Sequence, residues 1–341
     1  MAGRIIVTGG TGYIGSHTVV ELQQEGYEVI IIDNLSNSDI SVLNGIEAIT
    51  GTRPGFAEFD LCDRERLNSF FDEYGNADAI IHFAAFKAVG ESVNKPLDYY
   101  HNNLISLINL LEVMKNRRIR SMVFSSSCTV YGQPEILPVT EEAPVKEAVS
   151  PYGNTKQIGE EIIRDLMYAD NDLRSISLRY FNPIGAHPSG EIGELPLGTP
   201  ENLVPYITQT AIGIREQLKV FGDDYNTPDG SCIRDYLHVV DLARAHVIAL
   251  ERMLNDSCRS NFEIFNLGTG KGVSVLEAIR TFEEVAGIKL NYSITGRREG
   301  DIEKIWADPS HANRELGWKT ELTLGDALES AWNWERKYRN K

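Results

Sequence analysis

The stretch VTGGTGYIG at residues 7–15 limits the possible folds more than any other part of this chain. It sits between the apolar, β-branched run RIIV (4–7) and an amphipathic stretch at 14–25, and a second apolar run, EVIIID (28–33), follows. Two such runs joined through a helix read as parallel strands, because parallel pairing needs a crossover connection. The glycines can be read as Gly10-x-Gly12-x-x-Gly15 or as Gly9-x-x-Gly12-x-x-Gly15. In that place they permit a tight turn, close approach of backbone to a pyrophosphate and close helix packing, while the helix N-terminus stabilises the anion. Asp33, closing the second run, can accept from a ribose 2′-hydroxyl and would repel a 2′-phosphate, which favours NAD over NADP. The plainer alternative is a structural glycine turn with an Asp at a strand end.

The alternation continues. FAEF (56–59), AIIHFA (79–84), SMVFSSS (121–127) and SISLRY (175–180) read as strands, with helical stretches near 64–74, 97–115 and 155–169. This pattern predicts an α/β fold, a doubly wound (Rossmann) parallel sheet. After Tyr180 the periodicity breaks: residues 183–200 carry four prolines and four glycines and read as a functional loop. Helices are expected near 202–217 and 239–254, with a turn-rich segment at 221–231 between them and FEIFNLG (262–268) returning as a strand. A capping-box spacing at Ser274 and Glu277, and two further caps near Asp308 and Thr323, mark C-terminal helices. The expected organisation is a nucleotide-binding domain over 1–182, with returning segments at about 235–268. A smaller, interleaved C-terminal α/β substrate lobe takes 183–234 and 269–341.

Composition removes several function classes. The formal net charge is −16, and no basic run is longer than a pair such as Arg117-Arg118 or Arg297-Arg298, so nucleic acid and anionic membranes are poor partners. The cysteines at 62, 128, 232 and 258 form no CxxC pair, and the seven histidines include no HExxH, so no metal site is expected. With no leader-like segment and no long apolar run, a cytoplasmic protein is the default expectation.

SPYGNTKQ (150–157) offers chemistry. Ser150 can N-cap and Pro151 suits the first helical position, so Tyr152 and Lys156 share a helix face in the first turns. A nearby ammonium and a helix N-terminus both lower a phenol's pKa, toward the range useful for a general base. Taken alone, these eight residues read more readily as an ordinary helix start.

TGGTGYIGSH, SSSCTVYG (125–132) and YGNTK (152–156) together resemble the extended short-chain dehydrogenase/reductase family, in its UDP-hexose 4-epimerase branch. The likeness runs on through DNLSNS (33–38), YYHNN (99–103), RYFNPIGAH (179–187), the 221–243 segment, FNLGTG (265–270) and RREGDI (297–302). It implies a catalytic set of Ser127, Tyr152 and Lys156: Tyr152 the general base, Lys156 hydrogen-bonded to the nicotinamide ribose, Ser127 on the hydroxyl being oxidised. It implies tightly bound NAD surrounded by Gly9, Gly12, Tyr13, Ile14, Gly15, Asp33, Asn34, Asn37, Ser38, Asp60, Leu61, Phe83, Ala84, Lys87, Asn102, Ser125, Tyr152, Lys156 and Tyr180. It implies a UDP-sugar held by Lys87, Ser127, Tyr152, Phe181, Asn182, Asn202, Leu203, Phe221, Arg234, Tyr236, Arg298, Asp301 and Ile305. Arg234 and Arg298 are the cationic forks a pyrophosphate needs in an acidic protein, although a solvated surface charge is the simpler account of RREG.

The implied reaction is NAD-dependent interconversion of UDP-galactose and UDP-glucose through transient oxidation at sugar C4. Related dehydratases carry an Asp-Glu pair after the serine or threonine; here Cys128 and Thr129 stand there, and neither can act as a carboxylate acid or base. Ile305, between tyrosine and a small residue in bulk, leaves UDP-N-acetylhexosamines open as substrates, and UDP-uronates also stay open. So does a different class, a non-catalytic NAD-sensing protein. Helices near 97–115 and 155–169 resemble those that pair in the family's homodimers, though their apolar faces could equally be core.

Overall fold

The computed structural model describes residues 3–298 and 301–340. Glu299 and Gly300 of RREGDI lie outside the described residues. The first part runs β1 (Arg4–Thr8), α1 (Tyr13–Gln24), β2 (Glu28–Asp33), α2 (Val42–Thr50), β3 (Gly55–Glu58), α3 (Arg64–Tyr74), β4 (Ala79–His82), α4 (Val89–Asn94) and α5 (Pro96–Tyr100). A π-helical turn at His101–Ile105 leads into α6 (Ser106–Arg117), followed by β5 (Ser121–Ser127), α7 (Pro151–Ala169) and β6 (Arg174–Tyr180). Then come β7 (Asn182–Ile184), α8 (Leu203–Ala211), β8 (Leu218–Phe221), β9 (Ile233–Arg234), β10 (Tyr236–His238) and α9 (Val239–Leu254). The chain ends with β11 (Phe262–Leu267), β12 (Val273–Ser274), α10 (Val275–Ala286), β13 (Tyr292–Thr295), α11 (Ser310–Glu315) and α12 (Leu324–Arg339).

Seven strands form one sheet in the order β11-β6-β5-β4-β1-β2-β3. The β1–β2, β1–β4, β2–β3 and β4–β5 pairs are parallel. Between β6 and β11 the amides of Ser175 and Phe181 donate to Asn261 and Leu267 at a constant offset, the mark of a parallel pair. β1, β2 and β4 are apolar on both faces because both are covered. Ile6, Ile30, Ile32, Ile80 and Met122 pack with Phe70 and Phe71 of α3, Leu110 and Met114 of α6 and Ile163 of α7. The alternate residues Ile5, Val7, Ile31, Ile81 and Val123 are fully buried as well. Burial of each such side chain contributes about 1.5–3 kcal/mol.

The order reverses between β1 and β4, and in sheets of this kind ligands bind beyond the carboxyl ends of the strands at that switch point. The glycine turn, the residues after β4 and the serines of β5 all lie at strand carboxyl ends.

The chain separates into two compact units. The first comprises residues 1–132, 144–179 and 243–265, the second 133–143, 180–242 and 266–341. The second has its own core, in which Ile207, Leu218, Val220, Ile279, Phe282, Leu328 and Trp332 are buried together.

Several element boundaries differ from the sequence expectations. The stretch expected as one helix at 97–115 is broken by the π turn. The helix expected over 202–217 stops at Ala211: Gly213 has φ +87°, and the amides of Ile214 and Arg215 both turn back to the Gln209 carbonyl. Of the Ser274–Glu277 box, the structure shows Ser274 Oγ accepting from the Glu277 amide at 3.0 Å. At Thr323 both halves of a box are made, with Asp326 as the partner. Asp308 accepts from the Ser310 amide, while Pro309 holds the cap position of α11. Among the described residues no helix is long and apolar enough to cross a membrane, and no group of three or more His, Cys, Asp or Glu could hold a metal ion.

Candidate active site

The glycine turn is built as its spacing implies. Gly9 has φ +72°, and a Cβ there would lie 2.6 Å from the Ala84 amide nitrogen; at Gly15 it would lie 2.3 Å from the Gly9 carbonyl oxygen. These two glycines are therefore required by the turn itself. Gly12 caps α1 in extended geometry (φ −71°), and a Cβ there would meet only the Gly9 oxygen, at 3.1 Å. Its side of the turn stays open beside the first amides of α1, a cradle suited to a diphosphate.

Asp33 ends β2 and organises the loop below the turn. Its Oδ2 accepts from the Thr11 amide at 3.2 Å, and its Oδ1 from the Leu35 amide at 3.0 Å and the Ser38 hydroxyl at 3.3 Å. Asn34 donates to Asp60 at 3.3 Å, which links the residues after β2 with those after β3. Leu61 is buried and Asn37 exposed. After β4, Phe83 packs against His246 with ring centroids 4.7 Å apart, and Lys87 is exposed. This donor set fits NAD: a glycine cradle, a carboxylate at the end of β2 and no basic residue on the 33–38 loop to meet a 2′-phosphate.

Two residues that hold this frame were not in the sequence set. Asn103, turned inward in the π turn, accepts from the Phe86 amide at 2.8 Å and donates to the Phe86 carbonyl at 3.0 Å and the Thr155 hydroxyl at 3.0 Å. Asn109 donates to the carbonyls of Leu61 and Cys62. Both tie a strand-end loop to a helix. Asn102, the residue in the set, donates to Asn103 at 2.9 Å.

Ser127, Tyr152 and Lys156 come together within the first unit. Ser150 Oγ accepts from the Gly153 amide at 3.1 Å and Pro151 opens α7, so Tyr152 stands in its first turn. The phenol and the Ser127 hydroxyl share a hydrogen bond. The Lys156 ammonium lies 5.9 Å from the centre of the Tyr152 ring, 5.0 Å from that of Phe124, and donates to the Ser125 carbonyl at 2.7 Å.

The electrostatics reverse one expectation. Burial pushes the Tyr152 phenol up to about 12; the Ser127 hydrogen bond works against it, and the adjacent Cys128 thiol adds to the rise. Burial pulls Lys156 down to about 8, opposed by the carboxylate of Glu160. The sequence argument weighed the ammonium and the helix terminus; desolvation, a tertiary effect, outweighs both here. His82, behind this group, is fully buried with its Nδ1 2.7 Å from the Thr8 hydroxyl. Burial first, and the Lys156 charge second, pull it down to about 3.

In the second unit Arg234, Arg298, Asp301 and Phe221 converge. Arg298 binds Asp301 at 2.6 Å and lies over the Phe221 ring at 5.4 Å. Arg234 donates to the carbonyls of Ile233 and Ile302, and its second terminal nitrogen is 3.9 Å from Asp301. Two guanidiniums on one carboxylate leave donors over for a second anion. Tyr180, Phe181, Tyr236 and Ile305 are buried, and Leu203 opens α8. Asn182 begins β7, and Asn202 donates to Glu194 at 2.6 Å.

The profile of the family described as "NAD dependent epimerase/dehydratase family" matches residues 5–268. The chain is 53% identical over 331 residues to the UDP-glucose 4-epimerase of Bacillus subtilis (strain 168), an alignment covering 97% of this chain and 96% of that protein. Among solved structures it is similar to the UDP-glucose-4-epimerase from Stenotrophomonas maltophila with bound NAD and formylated UDP-arabinopyranose, with TM-score 0.95, 48% identity and 99% of each chain covered. It is similar to the same degree to UDP-glucose 4-epimerase from Bifidobacterium longum in complex with NAD+ and UDP, with TM-score 0.94, 47% identity and 99% of each chain covered.

Proposed function

Because the chain belongs to the NAD dependent epimerase/dehydratase family, we propose that it is an isomerase that interconverts UDP-glucose and UDP-galactose with NAD as a resident cofactor. The observation that carries this reading is the Ser127–Tyr152 hydrogen bond beside Lys156, in a motif whose next residues are Cys128 and Thr129. Such a site can move a proton on and off a hydroxyl; it has no carboxylate there for elimination.

The first unit is the NAD-binding domain and the second the UDP-sugar lobe. When bound, NAD supplies the acceptor and donor of the C4 hydride, so the reaction is redox-neutral overall. Gly9, Gly12 and Gly15 with the start of α1 hold its diphosphate, Asp33 an adenosine ribose hydroxyl, and Lys156 the ribose next to the ring. Ser127 hydrogen-bonds the sugar 4-hydroxyl and Tyr152 takes its proton, then returns one when the carbonyl is reduced from the opposite face. Positive charge beside the phenol favours the tyrosinate, and Lys156 is the charge this chain provides. Arg234 and Arg298 clamp the UDP diphosphate, and Phe221 packs on the uracil.

UDP-hexoses without a 2-acetamido group are the preferred substrates, because Ile305 is a branched side chain only 3% exposed. The enzyme works in the cytoplasm as a homodimer through the 96–117 and α7 helices, where Leu97, Ile108 and Tyr168 are exposed. The deciding experiment gives purified protein UDP-galactose without added NAD and follows UDP-glucose. Absence of turnover with NAD demonstrably bound would refute the proposal and favour a non-catalytic NAD-binding protein.

A further inference from the structure

Each of three consecutive serines on β5 holds one residue of a single stripe on α7. Ser127 shares a hydrogen bond with Tyr152, the Ser125 carbonyl accepts from Lys156, and the Ser126 hydroxyl donates to Glu160 at 2.6 Å. Residues 152, 156 and 160 are successive i, i+4 neighbours, so the Glu160 carboxylate stands one turn beyond the ammonium. Arg179 on β6 grips that carboxylate with both arms of its fork, Nε to Oε1 at 2.9 Å and Nη2 to Oε2 at 2.5 Å. Both side chains are 3% exposed. Behind them Arg179 lies over the Tyr131 ring at 4.8 Å and hydrogen-bonds its hydroxyl.

A buried ion pair is poor evidence of stabilisation, since an apolar pair of similar volume often serves as well or better. Its place next to Lys156 gives it another use. The charged and titratable groups around the ammonium are Tyr152 and Glu160 on its own helix, His82 on β4 and Arg179 on β6. His82 is held neutral, and Arg179 is bound to Glu160. Glu160 is thus the negative charge that opposes desolvation of Lys156.

We propose that Glu160, fixed by Arg179 and Ser126, is a positioning residue that keeps Lys156 protonated and holds α7 in register on the three serines. This rests on the role given to Lys156 above. Glu160 touches neither substrate nor cofactor in this account; it acts through the lysine.

The test uses holoenzyme and two readouts. In the pH dependence of turnover, Glu160→Gln moves the limb that Lys156 governs down by about one pH unit. Ser126→Ala gives a smaller shift in the same direction. Because Glu160→Gln leaves Arg179 buried without a counter-charge and can fail to fold, Glu160→Gln/Arg179→Met is made beside it. That pair still carries the downward shift, and Glu160→Asp restores most of the original limb. A limb at its wild-type pH in the double variant overturns the proposal, because the effect would then belong to an unpaired Arg179.

The second readout is urea unfolding against pH, which does not depend on activity. Lys156 has a folded pKa below its unfolded value, so the folded state gains stability as pH rises from about 8 to about 10.5. Loss of Glu160 starts that gain at lower pH in the native background, and no such difference is seen in a Lys156→Met background. An equal difference in both backgrounds sinks the coupling. Wild-type protein without epimerase activity would remove the functional reading, and this unfolding cycle would still decide whether Glu160 sets the charge of Lys156.

Discussion

The glycine turn allows a prediction that separates folding from cofactor binding within seven residues. Gly15→Ala adds a methyl group 2.3 Å from the Gly9 carbonyl oxygen, about 1 Å inside contact, and both atoms belong to backbone fixed by β1 and α1. Overpacking of this sort costs about 1–3 kcal/mol and more where backbone has to move. Alanine recovers about 1 kcal/mol from its better helix propensity, so a net loss of about 2 kcal/mol is expected. Gly12→Ala differs in kind. Its φ suits alanine, the new methyl meets one oxygen at 3.1 Å, and the weaker cap costs at most about 1 kcal/mol. That methyl does, however, occupy the space through which a diphosphate reaches the first amides of α1.

Urea unfolding and NAD content after purification are the two assays. Gly15→Ala should lower the unfolding midpoint clearly. Gly12→Ala should keep a midpoint near wild type and emerge with NAD reduced by roughly tenfold or more, as loss of about 1.4 kcal/mol or more of binding would give. If Gly12→Ala retains NAD fully, the diphosphate does not use this cradle. If it unfolds as readily as Gly15→Ala, the turn is tighter at Gly12 than the 3.1 Å contact implies.

Four other outcomes follow from the site. Tyr152→Phe should cut turnover by orders of magnitude while the thermal midpoint and UDP affinity stay near wild type; full activity would remove Tyr152 as the base. Ser127→Ala removes the hydrogen bond that opposes burial of the phenol, so the Tyr152 pKa rises, turnover falls, and the limb of the turnover profile that Tyr152 governs moves to higher pH. Arg298→Ala breaks an ion pair in which the arginine is half-exposed and leaves Arg234 3.9 Å from Asp301, so stability should change by about 1 kcal/mol or less. It should weaken UDP binding by roughly ten- to a hundredfold, as expected for a charge-assisted contact, and calorimetry with UDP reads this directly. Ile305→Tyr should lower turnover of UDP-N-acetylglucosamine relative to UDP-glucose; an unchanged ratio would show that Ile305 does not face the sugar 2-substituent.

What could be read in the sequence and what could not divide along a physical line. β1, β2 and β4 were legible because a strand covered on both faces must be apolar almost throughout, and that leaves an unbroken run. The glycine spacing and the Ser150-Pro151 start were legible because turns and caps are local in sequence. α2 was hidden, since Gly45 interrupts a nine-residue helix with only three buried positions. The pKa of Tyr152 could not be read either: its helix position and its lysine are local, but the desolvation that dominates comes from the packed fold. Asn103, Asn109 and Glu160 fall in a third class. Each is polar in a helix and reads as solvent-facing, yet Asn103 stands four residues before buried Leu107, Asn109 four before buried Val113, and Glu160 three before buried Ile163. A polar residue on the apolar stripe must find partners inside the protein or destabilise it, so this spacing announces that partners exist. It does not name them: those of Glu160 are Ser126 and Arg179, 34 and 19 residues away, and only the packing of α7 on β5 and β6 brings them within reach.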